Sequence, residues 1–141
     1  MYDFLSIAKA MSDENRLRIL MALRGKELCV CTFTELLNLA PSTTSKHLSI
    51  LKQARLIESV KDGKFVYYRL TMPEAKNYPL VAPALRCLEE SLGDSEQVAT
   101  DAALLAKIIE ASEQADPDGH AASHDHRLYR HVPGIHARGV F

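Results

Sequence analysis

The chain has 141 residues, three cysteines, six histidines and a net charge of −1. Its 47% hydrophobic and 25% charged residues are the mix of one folded domain with a modest core. No apolar run nears the ~18 residues that would cross a bilayer, and an odd cysteine count argues against a disulfide framework. The opening Met1-Tyr2-Asp3-Phe4-Leu5 has no basic segment leading into an apolar one, so neither a signal peptide nor a membrane partner is expected. The expected compartment is the cytoplasm. The charge is unevenly spread. Residues 1–72 hold 11 Lys and Arg against 7 Asp and Glu, a net +4; residues 73–141 hold 6 against 11, a net −5. A basic first half suits phosphate contact.

Residues 3–11 place Phe4, Ile7, Ala8 and Met11 at helical spacing. Ser12 is the expected cap of a second helix, with Asp13 and Glu14 in its first turn, Leu17, Leu20, Met21 and Leu23 on its apolar face and Gly25 as its stop. Thr32-Phe33-Thr34-Glu35 has the form of a capping box and predicts a short helix from Thr32 with Phe33, Leu36, Leu37 and Leu39 turned to the core. Ala40-Pro41-Ser42 breaks it, and Ser42 is the expected cap of the next helix, which runs to about Ala54. Two short helices around a tight turn form a helix-turn-helix.

The period then changes. Residues 57–61 and 64–70 read as strands around Asp62-Gly63, a hairpin signal in which both turn residues accept positive φ. This hairpin is the expected wing. Pro73, Pro79 and Pro83 punctuate the chain before a helix carrying Leu80, Ala84, Cys87, Leu88 and Leu92, and a further helix covers 99–114. The expected fold class is mainly α with a small β-hairpin: a winged helix-turn-helix over 1–95, an additional C-terminal helix over 96–115 and a flexible His-rich tail over 116–141.

A recognition helix in the major groove needs short polar side chains near its start and an apolar back. Ser42, Thr43, Thr44, Ser45, Lys46, His47 and Ser49 supply that set, and Lys46 and Lys52 can meet phosphates. Lys61 and Lys64 flank the wing turn, where they reach a neighbouring phosphate or the minor groove. Capping explains one or two of the hydroxyls and a solvated hairpin would explain the lysines, but helix, turn, polar helix and basic hairpin in this order predict double-stranded operator DNA as the partner.

Three stretches resemble the ArsR/SmtB family of metal-responsive repressors: Lys9-Ala10-Met11-Ser12-Asp13-Glu14-Asn15-Arg16-Leu17-Arg18-Ile19-Leu20, Ser45-Lys46-His47-Leu48-Ser49-Ile50-Leu51, and Asp62-Gly63-Lys64-Phe65-Val66-Tyr67-Tyr68-Arg69-Leu70. The resemblance covers about residues 5–92. It implies a homodimer joined through the first and post-wing helices, and repression that ends when a ligand binds.

Glu27-Leu28-Cys29-Val30-Cys31 is similar to the metal box of that family's arsenic- and cadmium-sensing branches. Thiolates select soft cations and trivalent arsenic or antimony. On a regular helix residues i and i+2 diverge, but just before a helix starting at Thr32 irregular backbone can bring both sulfurs together, and a helix N-terminus favours the thiolate. The competing reading packs Cys31 on Leu36 as a staple and Cys29 in the core. The arsenic pattern has a third cysteine where this chain has Thr34, and the cadmium/lead pattern has cysteines in an N-terminal arm, where residues 1–28 have none. A third thiolate could come only from Cys87 of either subunit; read as a buried residue of its helix, Cys87 is at most a helper. The candidate ligand set is therefore Cys29, Cys31 and Cys87.

Residues 78–92 carry no His or Asp, which sets aside the zinc- and nickel-sensing branches. His120, His124, His126, His131 and His136 lie in the Pro/Gly-rich tail, where adventitious metal binding is the expectation. No nucleophile–base pair or glycine-rich phosphate loop supports an enzyme. The expected function is a DNA-binding repressor with no fixed cofactor, released by As(III) or Sb(III). A thiol-based redox or sulfide sensor, or a Cd/Pb sensor, on the same scaffold is the alternative.

Overall fold

A computed structural model describes residues 1–115 and 129–132. The helices are α1 Tyr2–Ala10, α2 Glu14–Ala22, α3 Val30–Leu37, α4 Pro41–Gln53, α5 Tyr78–Leu92 and α6 Glu96–Ala115. The strands are β1 Lys26–Cys29, β2 Ile57–Asp62, β3 Phe65–Leu70 and β4 Tyr129–His131.

The helix starts differ from the sequence expectation, each for a local reason. Asp13, not Ser12, caps α2: its backbone is extended and its carboxylate accepts from the Arg16 amide at 3.1 Å. The Ser12 hydroxyl instead donates to the Lys9 carbonyl at 2.7 Å, closing α1. α3 begins at Val30 because β1 delivers Cys29 in extended geometry as its N-cap. Thr32 therefore lies inside the first turn, fully buried, and forms no capping box. α4 begins at Pro41, with Ala40 extended before it, so Ser42 sits within the helix rather than at its cap; proline pre-sets φ and lacks an N–H that would be unpaired there.

The turn into α4 is made by Asn38, at φ 52°, with Asn38 N–H bonding the Glu35 carbonyl and Leu39 N–H the Thr34 carbonyl. Asn tolerates this left-handed geometry, and the paired bonds satisfy the last carbonyls of α3. The exit of α4 repeats the arrangement with Arg55 at φ 60° and Leu56 N–H on the Leu51 carbonyl.

β2 and β3 form the expected hairpin, but Asp62 pairs with Phe65, so the two-residue turn is Gly63-Lys64 rather than Asp62-Gly63. Only Gly63, at φ 59°, takes a positive angle in that turn, the requirement of a II′ turn. The α3–turn–α4 unit followed by this hairpin is a winged helix-turn-helix. Strand order is β2-β3-β1-β4, antiparallel throughout. β1 and β4 fall where the sequence reading placed a loop and the tail; β4 pairs Leu28 with Tyr129 and Lys26 with His131. His120, His124, His126 and His136 lie outside the described residues, as does most of the expected tail. Among the described residues no helix is long and apolar enough to cross a membrane.

One core joins these elements. Ile19 and Leu20 of α2, Phe33 and Leu36 of α3, Leu48 and Leu51 of α4, Val81 and Leu85 of α5, and Leu105 and Ile108 of α6 are all buried in it. α6 is also tied by charge. Arg18 of α2 donates from Nε and Nη2 to both oxygens of the buried Asp101, at 2.8 and 2.9 Å. Asp101→Ala leaves a half-buried guanidinium without that fork. It should cost about 1–3 kcal/mol, read as a lower Tm in a single thermal transition. An unchanged Tm, or a separate early transition for α6, would show that the helix is not part of the cooperative unit.

Candidate nucleic-acid interface and thiol pair

α4 divides cleanly by face. Thr44, Leu48 and Leu51, spaced i, i+4 and i+7, are buried, while Ser42, Thr43, Ser45, Lys46, Ser49 and Lys52 are exposed. Thr44 therefore drops from the expected DNA-facing set: it is fully buried and its hydroxyl bonds the Ala40 carbonyl at 3.2 Å. His47 is turned partly inward. Only 14% of its side chain is exposed, and its Nδ1 lies 3.3 Å from Arg16 Nη1 and 3.9 Å from Asp13 Oδ1. Lys61 and Lys64 are exposed at the wing tip. Arg69, on the same hairpin, is committed to Glu27 and Glu58, each at 3.2 Å.

Arg16 is the participant that sequence reasoning missed. Its guanidinium donates to the Ala10 carbonyl at 2.7 Å and the Lys9 carbonyl at 3.1 Å as well as reaching His47. It thus satisfies the frayed end of α1 while bracing α4. The available signal was its place one turn after the Asp13 cap.

The two sulfurs of Cys29 and Cys31 meet, joined as a disulfide with their Cα atoms 5.5 Å apart. Convergence at i, i+2 is possible because Cys29 is the extended N-cap residue (φ −84°, ψ 165°) while Cys31 is already in the first turn. The expectation that both precede the helix is thus corrected. Cys29 is buried and its Sγ is 3.5 Å from Thr32 Oγ1; Cys31 is exposed rather than stapled onto the core. Cys87 is a free thiol on the exposed side of α5, not a buried residue. Among the described residues no three His, Cys, Asp or Glu groups converge, so Cys87 does not join the pair within one protomer.

The chain matches the family described as bacterial regulatory protein, arsR family, over residues 13–59. It is 37% identical over 90 residues to the arsenical resistance operon repressor of Bacillus subtilis, covering 62% of this chain and 83% of that protein. The chain belongs to the arsR family of bacterial regulatory proteins. The matched residues of this arsR-family chain contain both helices of the reader, the thiol pair and the start of the wing. It is also 49% identical over 61 residues to the cadmium resistance regulatory protein CadC of Listeria innocua. That overlap covers 43% of this chain and spans only about half of that relative, 51%. Among solved structures, HlyU from Vibrio cholerae N16961 superposes with a TM-score of 0.55 at 29% identity, covering 66% of this chain and 95% of that one.

Proposed function

We propose that this arsR-family chain is a transcriptional repressor that binds operator DNA as a homodimer and is released by As(III) or Sb(III). The observation that carries the inducer assignment is the meeting of the Cys29 and Cys31 sulfurs at the start of α3. In the reduced protein the two thiols offer a soft dithiolate; trivalent arsenic takes only three donors, so binding both sulfurs with loss of two waters from As(OH)3 leaves one hydroxide as the third. A divalent cation such as Cd(II) or Zn(II) wants about four donors, and the described residues of one protomer bring no third ligand to the pair. An arsenical resistance relative is in keeping with that choice, and the cadmium resistance relative makes Cd(II) the competitor to be tested.

Ser42, Thr43, Ser45, Lys46 and Ser49 are the groove-facing residues of this reading, with His47 at their edge and Lys61 and Lys64 on phosphate. The dimer rests on the apolar surface left open on α1 and α5, where Phe4, Leu5 and Leu80 are 65%, 47% and 40% exposed. Cys87 is assigned no primary role; as an exposed thiol it is at most a donor from a neighbouring subunit.

The test is operator release in a DNA-binding assay with the reduced protein and a panel of As(III), Sb(III), Cd(II), Pb(II) and Zn(II). Release by As(III) and Sb(III) at lower concentrations than the divalent ions is the expected result; release by Cd(II) or Pb(II) alone would move the chain to the cadmium branch. Lys64→Ala should weaken binding to all duplexes alike and lower the slope of log affinity against log salt by about one unit. A slope equal to that of the unsubstituted protein would remove the wing from the interface.

A second reading has its own observation. The pair is joined as a disulfide and one member is exposed. A peroxide could oxidise Cys31 to a sulfenic acid, releasing one water, and Cys29 could then displace a second water to form the disulfide. Operator release by peroxide, reversed by a thiol reductant, with no response to As(III), would favour this sensor.

A further inference from the structure

We propose that Arg16 is a positioning residue that holds His47 in a single neutral tautomer, presenting Nε2–H as a hydrogen-bond donor to a base edge in the major groove. The inference rests on the DNA-binding reading above and adds to it which atom does the reading and what prepares it.

A guanidinium has five N–H donors and no acceptor. The 3.3 Å contact between Arg16 Nη1 and His47 Nδ1 can therefore be a hydrogen bond only if Nδ1 is unprotonated and accepts. A neutral imidazole with a bare Nδ1 carries its proton on Nε2. Asp13 Oδ1, at 3.9 Å from Nδ1, is too distant to accept a hydrogen bond from it, which leaves Arg16 as its partner.

The guanidinium is not free to swing away. Nε and Nη2 are held by the Ala10 and Lys9 carbonyls at the end of α1. Nη1 is thereby aimed at α4 by two bonds that have nothing to do with DNA. The opposite ring nitrogen, Nε2, forms no hydrogen bond with the described residues. No buried side-chain nitrogen or oxygen among the described residues is unpartnered, so Nε2 keeps access to solvent. It emerges on a helix whose neighbouring positions Ser45, Lys46 and Ser49 are exposed. A ring fixed at one nitrogen, with the other still reached by solvent, is preorganised: its tautomer and plane are set before DNA arrives. The acceptors that fit are guanine N7 or O6, adenine N7 and thymine O4.

The test has two arms. In the free, 15N-histidine-labelled protein, two-bond 15N–1H correlation should show His47 with a protonated Nε2 and an unprotonated Nδ1; the opposite tautomer would overturn the proposal. Arg16→Lys keeps the charge but not the fork, and should return His47 to a mixture of tautomers. An unchanged tautomer in that variant would remove Arg16 from the role. The second arm uses duplexes selected in vitro by the unsubstituted protein from a random library, and avoids any change to Arg16. His47→Gln places an amide donor near Nε2 and should bind within about threefold of the parent; His47→Asn lacks that reach and should bind about tenfold more weakly. The loss should be confined to duplexes carrying one particular base pair. Equal binding by the two variants, or a uniform loss over all sequences that assigns the acceptor to phosphate, would overturn the base-edge assignment. Failure of the unsubstituted protein to select any duplex would strike the DNA reading instead, while the free-protein arm still decides the tautomer.

Discussion

Replacing Cys29 and Cys31 together by serine should leave operator binding intact and abolish release by As(III). Each single serine variant should lose most of the response, whereas Cys87→Ser should keep it. The effect is large because a ligand shifts an equilibrium only through its different affinity for two states, and a coupling of ~1–3 kcal/mol changes operator affinity by roughly five- to 150-fold. The structure supplies two routes for that coupling. Cys31 sits in the first turn of α3, and α3 packs on α4 through the same core. Cys29 ends β1 and pairs directly with Tyr67 of the wing strand β3. Drawing both sulfurs onto one arsenic atom acts at the junction of that turn and that ladder. Titration of operator complexes with As(III), followed by fluorescence anisotropy, measures it. If the double serine variant is still released by As(III), the pair is structural and the sensor lies elsewhere.

Leu5→Glu should produce a monomer at micromolar concentration, and its operator affinity should fall by ~10²–10⁴-fold, the advantage gained when two half-site readers are linked. A twofold interface uses the same surface from both subunits, so one substitution buries two carboxylates beside apolar neighbours. Leu5 is 47% exposed in the protomer, so the substitution spares the core and the variant should keep its helical circular dichroism. Sedimentation velocity gives the assembly state and anisotropy the affinity. A dimer of unchanged affinity would place the interface somewhere other than α1.

The parts of this fold that were legible in the sequence are those governed by periodicity. The α3–turn–α4 unit follows from Phe33, Leu36, Leu48 and Leu51, and the wing from alternating strands around Gly63. The cap rules were less secure because they rank side chains and not backbone context. Ser12, Thr32 and Ser42 are all good caps, yet Asp13, an equally good one by its side chain, takes the first position, and Cys29 and Ala40 hold the others because an extended backbone or a following proline sets the start. β1 is four residues long and mostly buried, too short for a period to show. β4 lies in a stretch whose composition resembles a linker, and only pairing with β1 reveals it. In the candidate interface the hydroxyls were legible as a group, but not which of them faces inward. Thr44 is turned in by the register that buries Leu48 and Leu51, and His47 by Arg16, 31 positions earlier in the chain. The convergence of Cys29 and Cys31 was anticipated; the exposure of Cys87 was not.

The unequal depth of the two thiols bears on timing. Cys31 stands at the surface, whereas Cys29 is 4% exposed and in contact with Thr32. A thiophilic ion arriving from water meets Cys31 first and gains its second bond only by reaching the sealed sulfur. Capture rate would then be governed by the outer sulfur and residence time by the inner one. On that division, substitutions around Thr32 would lengthen or shorten the induced state after the ion has gone from solution, with little change in how fast the response begins.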